Sequence, residues 1–429
     1  MPRWSRSGGA TNALIELFPD TAAVTDGELV VGGIRAGALA EEFRTPLVVY
    51  CRETVLARAR AYAHVDPALL IVYGTKAFPN VALMRLLAGE GLGADVSTRG
   101  ELEFALRADV PGARIVFHGN NKSDDELRAA AAAGALVVLD SLEEVARARA
   151  AGVAQVLVRV TPGIEADTHQ AIRTAHAESK FGLDPADAVA AVAAGIDAGL
   201  DVAGLHVHIG SQLTGSAQSL QAVTRLAEVA QRCHAELEWT PRLFDLGGGL
   251  GVRHTLAESV PEPEAFAREL LAQLRERWPR PQPVQVLFEP GRSLIGTAGF
   301  TLYRVGGVKR SGGVTYAAVD GGMSDNPRPQ LYGSRYEALL ANRADEAATG
   351  TFRIAGKHCE SGDVLIESVD LPEPRRDDLL AVPATGAYTL AMASNYNGVP
   401  RPAAVLVADG NAELIRRRET TGDLLAFEP

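Results

Sequence analysis

The chain has 429 residues, of which 47% are hydrophobic and 22% charged, with a formal net charge of −11. This composition fits a globular protein with one large domain and a smaller one, and the acidic balance excludes the basic footprint of a nucleic-acid-binding surface. Cys51, Cys233 and Cys359 are too scattered for a disulfide framework or paired zinc ligands, the N-terminal MPRWSRSGGATNAL has no signal-peptide core, and no apolar run approaches a membrane span, so a cytoplasmic protein without a membrane partner is expected.

In chain order, residues 1–45 hold one strand-and-turn stretch, GELVVGGIRA at 27–36, which is expected to pair with a C-terminal sheet and complete a β domain. Between 46 and 298, short β-branched runs alternate with Ala/Leu/Glu/Arg-rich stretches of helical period. The strand-like runs are LLIVYGT (69–75), GADVS (93–97), RIVFH (114–118), ALVVLD (135–140), QVLVRV (155–160), DVAGLHVHI (201–209), LFDLG (243–247) and VQVLFE (284–289). Such units predict an α/β fold built on a closed (β/α)8 barrel of TIM type, for which roughly 250 residues is usual. From 299 to 429 the runs TLYRVGGVKR, VTYAAVDGG, TFRIAGKHC, DLLAVP and AAVLVADG are divided by Gly, Pro and Asp turns, which predicts a second, β-rich domain.

A barrel of this kind carries its chemistry at the C-terminal ends of its strands. There the sequence places Lys76, Asp95, His118, Asp140, His206 and His208, Gly247-Gly248-Gly249, and Glu289-Pro290-Gly291-Arg292. Lys76 reads either as a solvated surface lysine or, on a desolvated rim, as an amine able to attack an aldehyde. The glycine run follows the seventh strand and Arg292 the eighth, where such barrels bind phosphate through bare backbone N–H groups and a charged donor. His206 and His208 alternate on one strand and allow three readings: a packed structural pair, a metal pair with His118, Asp95 or Glu289 as further ligands, or an imidazole stacked on a planar cofactor. Glu289 ends an apolar strand and needs a cationic partner, either Arg292 or a pyridinium nitrogen.

Taken in order, YGTKAFPN, GLGADVSTRGEL, FHGNNKSDDEL, RVTPGIEADTHQAIRTAHAESKFGL, GLHVHIGSQ, DLGGGLGV, FEPGRSLIGTAG, AVDGGMSDNPRPQLYG, GKHCESGD and TGAYTLAMASNYNGVPRP resemble the fold-type III pyridoxal-phosphate decarboxylases. That family joins an alanine-racemase-like barrel to a β domain, and the closest branch acts on diaminopimelate. The resemblance implies pyridoxal 5'-phosphate as cofactor, no metal, and decarboxylation of meso-2,6-diaminopimelate to L-lysine, the last step of lysine biosynthesis. It implies that Lys76 bonds the cofactor, His208 stacks on its ring and Glu289 meets its nitrogen. Asp95, Ser211, Gly248, Gly249, Gly291, Arg292 and Tyr388 fall where the family contacts the cofactor. Arg292, Arg328, Tyr332, Glu360 and Tyr388 match substrate contacts, Glu360 at the distal ammonium group, and Cys359 matches the proton donor. It further implies a homodimer with shared active sites, in which Cys359 and Glu360 enter from the other subunit; read alone, Cys359 is a small buried thiol, the commoner fate of a free cysteine.

Gly74-Thr75, Thr98-Arg99 and Asp167 depart from the family's pattern without removing a catalytic group. A decarboxylase of another diamino or carrier-bound amino acid, a non-catalytic cofactor-binding relative and an H-x-H metallohydrolase are the rival readings.

Overall fold

The computed structural model describes residues 13–164, 179–280 and 282–429. The expectation for Asp167 lies outside them. The chain divides into two compact units, one of residues 58–251 and 260–293, the other of residues 1–57, 252–259 and 294–429.

The first unit is a closed barrel of eight strands, Leu69–Gly74, Gly93–Val96, Ile115–Phe117, Leu136–Leu139, Gln155–Val160, Asp201–Val207, Leu243–Asp245 and Gln285–Phe288. Each pairs in parallel with the next, and Gln285–Phe288 closes on Leu69–Gly74. Several of the helices that follow the strands begin on side-chain caps that satisfy otherwise orphaned N–H groups. Asn80 caps Val81–Gly89 and Thr98 caps Arg99–Arg107. Ser123 and Glu126 form a reciprocal capping box before Asp124–Ala133, and the Ala-rich stretch there ends at left-handed Gly134.

Strand periodicity divides the barrel interior into two layers. Val72, Val116, Val138, Leu157, Ala203, Leu243 and Leu287 pack together as an apolar layer. Two positions farther along their strands stand His118, Asp140, Arg159, Asp245 and Glu289, all buried. Buried His206 joins this polar layer because a register irregularity between Val202 and Gly204 shifts the sixth strand, and buried Asp95 joins it from the second strand.

In the second unit, Gly299–Ser311 pairs through its first half with Leu47–Cys51 and Leu379–Val382, and through its second half with Val314–Val319. The sheet continues through Gly350–Ala355 and Val364–Leu371 on one side and Ala403–Ala408 and Asn411–Arg416 on the other. Two apolar clusters fill this unit, one around Val49, Phe300 and Val405 and the other around Val305, Ile354 and Leu380.

Two expectations change here. A barrel starting at residue 46 would include LVVYC, but Leu47–Cys51 is hydrogen-bonded on both edges within the β sheet, parallel to Ala403–Ala408 and antiparallel to Gly299–Ser311. A fully buried strand reads alike in either sheet, and only its partners decide. The GELVVGGIRA stretch forms a small sheet of Ala23–Thr25, Glu28–Val31 and Ile34–Arg35. It meets the C-terminal segment through isolated backbone bonds, Leu29 N–H to Ala341 C=O and Ala344 N–H to Gly27 C=O, rather than through a ladder.

Candidate active site

The polar layer of the barrel is a continuous ionic cluster. Lys76, in the short 3-10 turn after the first strand, places Nζ 2.9 Å from Asp95 Oδ2. Its side chain is 42% exposed, so the amine is ion-paired at an open mouth, neither a lone surface lysine nor an amine on a desolvated rim. Asp95 Oδ1 lies 3.7 Å from His118 Nε2, and that nitrogen lies 2.5 Å from Glu289 Oε1. Glu289 Oε2 lies 3.4 Å from His206 Nε2, and the two imidazoles meet edge to face with ring centroids 4.8 Å apart.

Burial and charge set the protonation of this cluster. Burial alone would raise the Glu289 pKa, but His118 and His206 outweigh it and hold the carboxyl well below the usual carboxylate range. The Asp245 carboxyl moves the other way, pushed well up by burial and then by the Glu289 charge. Burial lowers His206 to about 4, with Glu289 opposing, so the imidazole is neutral near pH 7. His208 is held well below its ordinary value by desolvation and then by the Lys76 charge. Glu289 thus stands between two histidines, among them the His206 that the sequence paired with His208.

Beside this cluster the glycine run folds tightly. Asp245 Oδ1 accepts the Gly247 N–H at 2.9 Å, and half-buried His208 accepts the Gly248 N–H through Nδ1 at 3.2 Å. A Cβ at Gly248 would sit 2.2 Å from the Glu289 carbonyl oxygen. At Gly249, whose φ is +110°, a Cβ would meet the Gly210 carbonyl oxygen at 2.5 Å. Arg292 donates to Ser211 Oγ from Nε at 3.3 Å and from a terminal nitrogen at 3.1 Å, and Gly291 packs under the rim against Gly74.

Residues 52–296 match the family model for the pyridoxal-dependent decarboxylase, pyridoxal binding domain. A diaminopimelate decarboxylase of Actinosynnema pretiosum subsp. auranticum is 44% identical over 421 residues, covering 96% of this chain and 95% of its own. One from Bacillus subtilis strain 168 is 41% identical, covering 94% of this chain and 95% of its own. The chain belongs to the diaminopimelate decarboxylase family. A crystal structure of the M. jannaschii diaminopimelate decarboxylase in co-complex with L-lysine superposes with a TM-score of 0.89 at 31% identity, covering 96% of this chain and 98% of that one.

The barrel of this family member has the features a pyridoxal group needs. Glu289 Oε1 is buried without an aligned hydrogen-bond partner among the described residues, which suits it to a protonated ring nitrogen. The side-chain-free glycine loop next to Arg292 and Ser211 suits a phosphate. Among the described residues, His118, His206, Asp245 and Glu289 also bring one potential metal-ligand atom each within 4.8 Å of one another. His208, the partner of His206 in the H-x-H reading, is not in that group.

The remaining expected residues lie in the second unit. Arg328, on the short helix Arg328–Tyr332, is 3% exposed and donates to Tyr336 Oη at 2.9 Å and Ser334 Oγ at 3.1 Å. Its guanidinium lies 5.7 Å from the centre of the Tyr332 ring. Tyr388 adopts a left-handed backbone with φ of 59°, a strained conformation of the kind that gathers at functional sites. Cys359 and Glu360 are both exposed, so Cys359 is not the buried thiol of the blander reading.

Sequence reasoning missed the partners behind these residues. Arg159 is 6% exposed and 3.4 Å from Asp140 Oδ1, whose other oxygen accepts the Gly182 N–H at 2.9 Å. Buried Lys122 donates to Gly119 C=O at 2.6 Å and to Glu144 at 2.9 Å, and Glu144 also accepts the Asp140 N–H at 2.9 Å. This buried lysine and glutamate thus brace the ends of the third and fourth strands. The two-residue spacing of Leu157 and Arg159 was the available signal for Arg159.

Proposed function

We propose that this chain decarboxylates meso-2,6-diaminopimelate to L-lysine and carbon dioxide with pyridoxal 5'-phosphate as cofactor, as a carboxy-lyase of lysine biosynthesis. The observation that carries the reading is the Glu289 carboxylate, kept ionised by His118 and His206 on the rim that holds the Lys76–Asp95 pair.

Pyridoxal phosphate supplies the electron sink that decarboxylation at an amino-acid α-carbon requires. Lys76, which Asp95 holds at 2.9 Å, would be its covalent anchor. Glu289 offers a carboxylate to the ring nitrogen, and His208, oriented by the Gly248 N–H, offers a flat apolar face. Ser211, Gly248, Gly249, Gly291, Arg292 and Tyr388 would hold the rest of the group, chiefly its phosphate.

Arg292, Arg328, Tyr332, Glu360 and Tyr388 are proposed as the substrate contacts. A diamino diacid needs a cation and an anion at its far end, and Arg328 and Glu360 are residues of that kind. Ornithine and lysine lack the distal carboxylate, so the Arg328 charge would go without a counter-charge, at a cost of about 1–3 kcal/mol or more. Cys359 delivers a proton to the α-carbon. We assign the working form to a homodimer in which Cys359 and Glu360 serve the partner's site, and its location to the cytoplasm. The exposure of both side chains at a hairpin tip supports the shared site.

The visible absorption of the protein with added cofactor, for wild type and Lys76→Ala, tests the reading. Wild type is expected to gain the band of the lysine-bound cofactor and Lys76→Ala to lose both band and turnover. A wild type that stays colourless sinks the proposal, and equal turnover of ornithine and diaminopimelate sinks its specificity.

A further inference from the structure

Cys359 and Glu360 are exposed, yet the residue before them is buried. His358 lies in the turn between strands Gly350–Ala355 and Val364–Leu371, with its side chain 0% exposed. Its Nδ1 lies 2.6 Å from Oδ2 of Asp363, itself 1% exposed, and the same oxygen accepts the His358 backbone N–H at 2.9 Å. Asp363 Oδ1 accepts the Met323 N–H at 2.7 Å, and the Asp363 carbonyl closes the turn on the Gly356 N–H at 2.9 Å. The pair fits because residue 356 is glycine: a Cβ there would stand 2.1 Å from Asp363 Oδ2.

A second contact clamps the turn from outside. The His358 ring stacks on Tyr396, centroids 5.8 Å apart and planes 19° off parallel. The next residue, Asn397, accepts the Cys359 N–H through Oδ1 at 2.9 Å. His358 Nε2 has no hydrogen-bond partner among the described residues, so the side-chain bonding found for this imidazole goes to Asp363. An exposed hairpin turn needs none of this to close. Burying an imidazole and a carboxylate is costly unless they are paired, and here the pairing immobilises the backbone on both sides of Cys359.

We infer that His358 and Asp363, backed by Tyr396 and Asn397, are positioning residues that hold Cys359 and Glu360 in the one conformation suited to proton delivery and to the substrate's distal ammonium group. The inference rests on the roles given above to Cys359 and Glu360. Displacing a reacting group by about 1 Å costs on the order of 10²-fold in rate, so this latch is expected to govern turnover without governing cofactor loading.

The test uses the full chain loaded with pyridoxal phosphate. His358→Phe keeps a ring against Tyr396 and removes the bond to Asp363, whereas His358→Asn restores a donor at the Nδ1 position. The Phe variant is expected to load cofactor with the wild-type absorption, lose kcat by about 10²-fold and show a raised KM for diaminopimelate. The Asn variant is expected to recover most of that loss. Wild-type kcat and KM in the Phe variant overturn the inference even if its Tm has fallen, as does an Asn variant no better than Phe. Should the Phe variant not fold, Asp363→Asn is judged on the same kcat and KM. Cys359→Ala separates the two levels: if it is fully active the role of Cys359 is wrong, and if it is inactive beside an undiminished His358→Phe, only the latch is wrong.

Discussion

Glu289 Oε1 lies 2.5 Å from His118 Nε2, inside a barrel where the two side chains are 2% and 8% exposed. A carboxylate buried this deeply stays charged only because imidazoles stand on it, so its charge is a property of the pair.

Glu289→Gln removes that charge with little change of shape. Turnover is expected to fall by about 10²-fold or more while the variant still takes up cofactor through Lys76. Steady-state rates beside the absorption spectrum check this, and an active Gln variant would mean that the ring nitrogen needs no carboxylate.

His206 predicts how stability follows acidity. Its folded pKa of about 4 lies below the ordinary 6.5, because burial outweighs the attraction of Glu289 while His118 and Arg159 add repulsion. Between those values the unfolded chain binds the extra proton, so this contribution to stability is complete above about pH 6.5 and is lost as pH falls toward about 4. Urea midpoints measured across that window should decline on acidification, and His206→Gln should flatten the decline.

Gly248→Ala puts a methyl group 2.2 Å from the Glu289 carbonyl oxygen. The loop must move, at a cost of about 1–3 kcal/mol. Because that loop is the proposed phosphate seat, cofactor affinity measured by titrating the cofactor-free variant should drop by at least about 10-fold, the equivalent of 1.4 kcal/mol.

Lys122→Met strands the buried Glu144 carboxylate, whose burial now depends on the lysine 2.9 Å away. A loss of about 3–5 kcal/mol is expected. The double variant with Glu144→Leu should recover part of it, which chemical denaturation of the single and double variants will measure.

Cys359→Ala should bind cofactor like wild type yet lose turnover. Full activity would return Cys359 to an ordinary exposed thiol.

All eight barrel strands were legible because short β-branched runs alternate with stretches of helical period along the chain. The places of Lys76, Asp95, His208 and Glu289 at the strand ends were legible because that is where such barrels keep polar groups. Arg159 was not, since one arginine in QVLVRV looks like an outward residue until the barrel closes around it. LVVYC was placed in the wrong unit because an apolar strand carries no mark of its partners. His358 was passed over beside Cys359 because its partner Asp363 is named only by the fold of the turn.

The division of the barrel interior into an apolar and a polar layer has a consequence for change over time. Along the fourth strand, Val138 and Asp140 are two residues apart, yet one belongs to the layer that keeps the barrel folded and the other to the layer that gives it chemistry. New activities can therefore be explored by altering the strand tips while the floor beneath them stays as it is, so one scaffold can be inherited by enzymes that share no substrate.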